Sequence, residues 1–205
     1  MKNTRHLKRA YFLQPTLHLA RDLLGRRLVL LDKKDQRISG LITEAEAYVG
    51  TEDLACHARV GRTKRNDAMW GPPGHAYVYF TYGVHWMLNF VTERDGFPSA
   101  VLIRGIWPQE GLDEMLLKRP VIQINNLTNG PAKLCQALGI DGSWNGVDLC
   151  GEDSRLFVEQ GFPIDDDRVT SGPRVGLNTV PEPWKSKPWR FLVDPTIFIN
   201  GEFSS

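Results

Sequence analysis

Glu44-Ala45-Glu46-Ala47-Tyr48 sets two carboxylates and a tyrosine at alternate positions. Side chains alternate sides along an extended strand, so Glu44, Glu46 and Tyr48 would share one face. A half-buried strand face ordinarily carries Val, Ile or Leu. Acid beside aromatic suits a pocket that stacks a flat ring and activates a water next to it. His57 follows within Cys56-His57-Ala58-Arg59, and Tyr77-Val78-Tyr79-Phe80-Thr81-Tyr82 adds three more tyrosines. Glu46 is the candidate general base; the plainer alternative is a solvated strand face with both acids pointing outward. His57 is either a ligand-contacting or acid–base histidine, or an ordinary polar loop residue. Tyr77 and Tyr79 share a face and form either a packed core cluster or a stacking platform. Tyr82 falls on the other face or at a turn, where a tyrosine can be driven into a duplex as a wedge.

Arg59, Arg62, Lys64 and Arg65 lie together in one loop. Such a run is either a solvated face or a patch for phosphates. Arg174, Lys185, Lys187 and Arg190 are candidates to extend it, while Trp184 and Trp189 read as packing. Arg104 interrupts Val101-Leu102-Ile103-Arg104-Gly105-Ile106. Burying a guanidinium there demands a partner, a carboxylate such as Glu46 or an ordered water. The five histidines show no H-x-x-x-H pairing and the three cysteines no C-x-x-C spacing, so neither a metal nor another cofactor is expected.

These residues need elements to hold them. Leu17, Ala20, Leu23 and Leu24 recur at helical spacing between Thr16, an expected N-cap, and Gly25, an expected C-cap. Strands are expected over 27–31 and 38–42 around the polar turn 32–36, the second continuing through 43–48. Residues 50–74 read as a long polar loop, and loops of that length are often functional. The runs 76–82 and 84–92 meet at Gly83 as a hairpin with Tyr82 at its tip. A strand over 100–106, a helix around Leu112, Met115 and Leu116, and a helix from Pro131 to Gly139 follow. Later strands are expected at 157–158, 174–177, 189–193 and 197–199. Strands without regular βαβ alternation imply an α+β fold of one domain, a largely antiparallel curved sheet with flanking helices and a protruding hairpin.

Composition narrows the function classes. The formal charge is only +1, with 25 basic against 24 acidic residues, so any nucleic-acid contact must come from a local patch. Three cysteines, Cys56, Cys135 and Cys150, cannot form a complete set of intrachain disulfides, which fits a reducing compartment. No apolar stretch reaches the roughly 20 residues of a membrane helix. Met1 to His6 lacks the apolar core of a signal peptide. The expectation is a soluble intracellular protein with no membrane partner.

In ordered blocks from Tyr11-Phe12 to Trp189-Arg190-Phe191, the chain resembles the alkyladenine (3-methyladenine) DNA glycosylase family. The most specific blocks are Glu44 to Tyr48, His57, Arg62-x-x-Arg65-Asn66, Tyr77-Val-Tyr79-x-x-Tyr82-Gly83, Asn89, Arg104, Gly130-Pro-Ala-Lys-Leu-Cys135 and Pro173-Arg-Val-Gly176. That resemblance implies a monofunctional enzyme that flips alkylated or deaminated purines out of double-stranded DNA and hydrolyses the N-glycosidic bond, initiating base excision repair. It implies Glu46 as general base, with Arg104 and the carbonyl of Val175 holding the water. It implies Tyr48, His57, Tyr79 and Asn89 around the base, Asn89 excluding the amino group of guanine. It implies Tyr82 as the intercalating residue; Arg59, Arg62, Lys64 and Arg65, clustered beside the aromatic pocket, are expected toward the DNA backbone. A monomer is expected. The short start suggests a bacterial source, hence cytoplasmic and nucleoid-associated, or nuclear in a eukaryote. The rival readings are a non-catalytic damaged-DNA-binding module and a hydrolase of free nucleosides.

Overall fold

One strand organises this structure, a computed structural model that describes residues 6–199. Two short helices, α1 (Arg9–Phe12) and α2 (Thr16–Asp22), lead into β1 (Arg27–Leu31) and the long β2 (Arg37–Val49). The hairpin β3 (Ala76–Thr81) and β4 (His85–Val91) comes next, then β5 (Ser99–Glu110). Helices α3 (Leu112–Lys118) and α4 (Pro131–Leu138) precede β6 (Leu156–Glu159), β7 (Val169–Gly172) and β8 (Arg190–Val193). The strands run β3-β4-β5-β2-β1-β6, with β8 bridging β2 and β7, and every pairing is antiparallel. The fold is α+β with a largely antiparallel sheet, as expected.

The central strands divide their side chains between two environments, as period-two alternation requires. Ala45, Ala47, Val78, Leu88, Phe90, Val101 and Ile103 join the main core with α2 and α4. The opposite face carries a smaller cluster of Tyr77, Val91 and Ala100 with Cys56, Ala58 and Met69 from the preceding loop, and Tyr48 and Tyr79 pack against it. The functional candidates therefore stand on a face shielded by a loop rather than by helices. That loop is not idle: it forms 3-10 turns at His57–Val60 and Asp67–Trp70 that bury Ala58 and Met69.

Several local expectations are corrected. Thr16 is the first helical residue rather than the cap. Pro15 holds the cap position, and the Thr16 hydroxyl bonds Glu93 and Thr92 instead. The C-cap of α2 is Leu23; Gly25 lies beyond it at φ +79°, and a Cβ there would meet the carbonyl oxygen of Phe162. Residues 174–177 form a turn and not a strand, because the strand of that region is β7, which the sequence reading missed. The 197–199 segment is no strand: Ile197 and Phe198 end the 3-10 turn Pro195–Phe198, capped at its start by the Asp194 carboxylate, and Ile199 follows it. Pro131 does open α4 and Gly139 closes it at φ +78°.

Candidate active site

Strand register assembles the site. Tyr77 pairs with Asn89, Asn89 with Leu102, and Leu102 with Glu46. Directly paired residues of antiparallel strands project to the same side. A row Tyr77–Asn89–Leu102–Glu46 thus crosses β3, β4, β5 and β2, and Tyr79 and Tyr48 stand two residues along on the same side. Between β2 and β5 the register slips at Ile42/Glu44 and again at Glu44/Ala45, leaving Thr43 and Arg104 unopposed. A bulge bends its strand and re-aims the extra side chain. Gly105 permits the close approach, since a Cβ there would lie 2.8 Å from the Thr43 hydroxyl.

The re-aimed Arg104 meets both acids. Its Nε lies 2.8 Å from Oε1 of Glu44 and 3.3 Å from Oε1 of Glu46. Arg190 on β8 supports the same Glu44 oxygen at 3.3 Å. Glu46 is wholly buried. Its Oε1 accepts the backbone N–H of Val175 at 2.7 Å, and its Oε2 accepts the Tyr48 hydroxyl at 2.8 Å. Burial pushes the Glu46 carboxyl above the ordinary carboxylate range; Arg104, the Val175 N–H and the Tyr48 hydroxyl oppose that, and Glu44 adds to it. Burial outweighs the Arg104 charge, as desolvation does for carboxyls in apolar settings.

A cavity of about 340 Å³ opens beside this carboxyl, lined by Tyr48, His57, Tyr79, Asn89, Arg104 and Val175 among others. Sites for small molecules span roughly 300–1,000 Å³. Glu46 is not on the cavity wall, but all three groups that contact it are. His57 meets Tyr79 edge-on with ring centroids 4.5 Å apart, and Tyr77 and Tyr79 lie 5.3 Å apart. The Nδ1 of His57 bonds the Tyr77 hydroxyl at 2.9 Å. Burial, then the charges of Arg65 and Arg59, push the imidazole down to about 4, so it is neutral at pH 7. Asn66 pins that turn by donating to the carbonyls of His57 and Gly61 at 3.1 and 2.9 Å. Asn89 donates to the Tyr77 carbonyl at 3.0 Å, which fixes its amide. Among the described residues no group of three or more His, Cys, Asp or Glu could hold a metal ion.

Tyr82 stands at the hairpin tip, 84% exposed, with φ +52° followed by Gly83 at +70°. A bulky residue in the left-handed region is uncommon, and here it lifts an aromatic ring clear of the body. A family model described as Methylpurine-DNA glycosylase (MPG) matches residues 10–196. The chain belongs to the methylpurine-DNA glycosylase family. A protein of Methanocella arvoryzae is 44% identical over 186 residues, 90% of each chain. One of Chlorobaculum parvum is 43% identical over 176 residues, 85% of this chain and 83% of its own. One of Salinibacter ruber is 40% identical over 205 residues, 95% of this chain and 96% of its own. All three bear the name "Putative 3-methyladenine DNA glycosylase".

The basic residues of this glycosylase-family chain are partly committed. Arg62 pairs with Asp67 at 2.7 Å, Arg59 donates to the Leu54 carbonyl, and Arg65 donates to the Phe80 carbonyl 5.6 Å over the Tyr79 ring. All three remain exposed, as does Lys64. Arg174 is a correction. Expected on the patch, it is fully buried against Asp53. Arg190 is half-buried on Glu44, and Lys187 sits over Trp184 and Trp189, 3.6 and 4.3 Å from the ring centroids, so neither is a free surface cation. The signal missed was Asp53, the second of two adjacent acids, Glu52-Asp53, a few residues beyond Glu44–Tyr48. Buried neutral His57 also implies a stability effect. Between pH 6.5 and about 4 the unfolded chain binds the proton that the folded imidazole refuses. This group's contribution to stability therefore falls as pH drops through that window, by about 3 kcal/mol. Thermal melts of His57→Asn are expected to show a shallower decline there than the parent; equal slopes would refute it.

Proposed function

We propose that this protein excises alkylated and deaminated purines from double-stranded DNA by monofunctional hydrolysis. The observation that carries the reading is the buried Glu46 carboxyl, held by Tyr48, Arg104 and Val175 behind an aromatic cavity. A nucleotide inside a duplex cannot reach such a cavity unless it is rotated out, at a cost of a few kcal/mol that is least for damaged pairs. Tyr82 fills the gap. Tyr48 and Tyr79 stack on the purine, and their ring faces favour a base made cationic by alkylation. Neutral His57, its Nδ1 taken by Tyr77, turns Nε2 to the base edge. Asn89 blocks the amino group of undamaged guanine.

Departure of the purine leaves oxocarbenium character on the sugar, as in glycoside hydrolysis. A water between Arg104 and the Val175 carbonyl meets Glu46 Oε1, which takes its proton while the carboxylate charge offsets the sugar's. The raised affinity of Glu46 for protons suits this, since a stronger base accepts more readily near neutral pH. Position 46 carries a carboxylate and not an amine, so no Schiff base forms and the strand stays intact.

The test is release of free purine from an alkylated duplex, run beside the corresponding free nucleoside. Release from the duplex alone is expected. No release from either substrate would favour a binding module, and release from the nucleoside would favour a nucleoside hydrolase. Affinity for plain duplex should fall with salt, with a log–log slope of about −0.9 for each phosphate met by Arg59, Arg62, Lys64 or Arg65. Changing Lys64 and Arg65 to Gln together is expected to flatten that slope by nearly two such steps; an unchanged slope would remove them from the interface.

A further inference from the structure

A second ion pair lies behind the site, and nothing in the chemistry above uses it. The side chains of Arg174 and Asp53 are both fully buried, with Nη1 2.5 Å from Oδ2 and Nη2 2.9 Å from Oδ1. Burying such a pair generally gains little over a well-packed apolar pair, because desolvation cancels the attraction. Its connections indicate what else it does. Arg174 Nη1 also donates to the carbonyl of Ala47 at 2.9 Å, between Glu46 and Tyr48 on β2. Its Nη2 reaches the carbonyl of Trp184 at 3.3 Å. Asp53 in turn accepts the backbone N–H of Ala55 at 3.0 Å and, more weakly, of Val49 at 3.3 Å, and so ties down the chain leaving β2. One guanidinium thus clamps β2, the loop after it and the segment before β8. The same group lies 4.7 Å from the ring centroid of Tyr48 and 4.9 Å from that of Trp189. Arg174 is not on the cavity wall whereas Tyr48 is, so it backs the ring from the side away from the cavity.

We infer that Arg174 is a positioning residue for base excision: clamped by Asp53, it fixes the turn whose Val175 N–H holds Oε1 of Glu46, and it braces Tyr48 from behind. The inference rests on Glu46 being the base. The turn itself is exposed, with Val175 at 47% and Gly176 at φ +81°. An exposed turn has little of its own to hold a backbone N–H within 2.7 Å of a buried carboxylate. The anchor is the neighbouring side chain. The other groups that bear on the Glu46 charge are Glu44 and Tyr48 on β2, Arg104 on β5 and Tyr79 on β3, with Arg190 of β8 on Glu44. Of these only Tyr48 touches Arg174; Glu44, Arg104, Tyr79 and Arg190 keep their places when Arg174 or the Val175 N–H is changed.

The experiment is single-turnover excision of 7-methylguanine from a duplex across pH 5 to 9. That base is already cationic, so the acid limb of the profile reports the general base alone. R174K keeps the charge but cannot bridge Asp53 with two parallel bonds. It is expected to move the acid limb up by about one pH unit, which is roughly a tenfold loss below the limb and recovery above it. Val175→Pro deletes the N–H donor itself and sets the ring Cδ where that hydrogen pointed, so Oε1 of Glu46, 2.7 Å from the nitrogen, must give way. It should reproduce the shift. If R174K does not fold, the paired variant D53N/R174Q, which leaves neither partner charged alone, is read the same way. An unmoved limb in Val175→Pro, or a rate loss equal at every pH in the Arg174 variants, overturns the inference. Glu46→Gln separates the layers. If it turns over at the parental rate, the base assignment is wrong; if it is inert while these limbs stay put, only the role of Arg174 fails.

Discussion

Glu46→Gln is expected to lower single-turnover excision by about 10²- to 10⁴-fold, the usual contribution of a positioned general base, while the affinity for lesion DNA stays near that of the parent. The separation follows from geometry. Glu46 is wholly buried and off the cavity wall, so it makes no surface for DNA or for a flipped base to lose. The amide oxygen of glutamine can still accept the Val175 N–H, and Arg104 keeps Glu44 at 2.8 Å. Removing a charge whose burial is unfavourable should also leave the melting temperature level or slightly higher. Kinetics and binding measured on the same alkylated duplex check this. Parental turnover, or a parallel collapse of binding, would contradict it.

The second large effect concerns the hairpin. Tyr82→Ala is expected to weaken binding to lesion-bearing duplex by on the order of 1–3 kcal/mol, the worth of one aromatic–base stack, and to leave plain duplex almost untouched. A ring that is 84% exposed at a strained turn adds nothing to folding, so its removal should not destabilise the protein. Alanine keeps the strain and loses the ring; Tyr82→Gly is therefore the control for backbone effects. Equal losses on both DNAs would reduce Tyr82 to a general contact and exclude a wedge.

Which of these features could be read from the chain follows physical lines. Alternation is local, so Glu44, Glu46 and Tyr48 on one face, and Tyr77 with Tyr79, were legible from spacing alone. The hairpin tip was legible because Gly83 punctuates two β-rich runs. Arg104 announced a buried partner, but not which one. Its two contacts depend on compensating bulges that no pattern in 101–106 reveals. Arg174 was misread because an isolated arginine looks like surface until its partner, Asp53, arrives from 121 residues away. Thr16 looks like a cap by composition, yet its hydroxyl is drawn to Thr92 and Glu93 by tertiary packing. β7 was missed because its residues are largely exposed, so burial gave it no alternating signature. The order of motifs along the chain supplied the family, while the angles and distances of the site came only from the fold.

The claim on which the rest depends is that water, primed by one hidden carboxylate, takes the place of the purine. The direct measurement is a product balance after a single turnover on an alkylated duplex, with borohydride present in a parallel reaction. The account predicts equal amounts of free purine and intact abasic strand, no trapped protein–DNA adduct, and almost none of either product from Glu46→Gln over the time of one parental turnover. A trapped adduct, a cleaved strand, or purine released by the glutamine variant at the parental rate would contradict it.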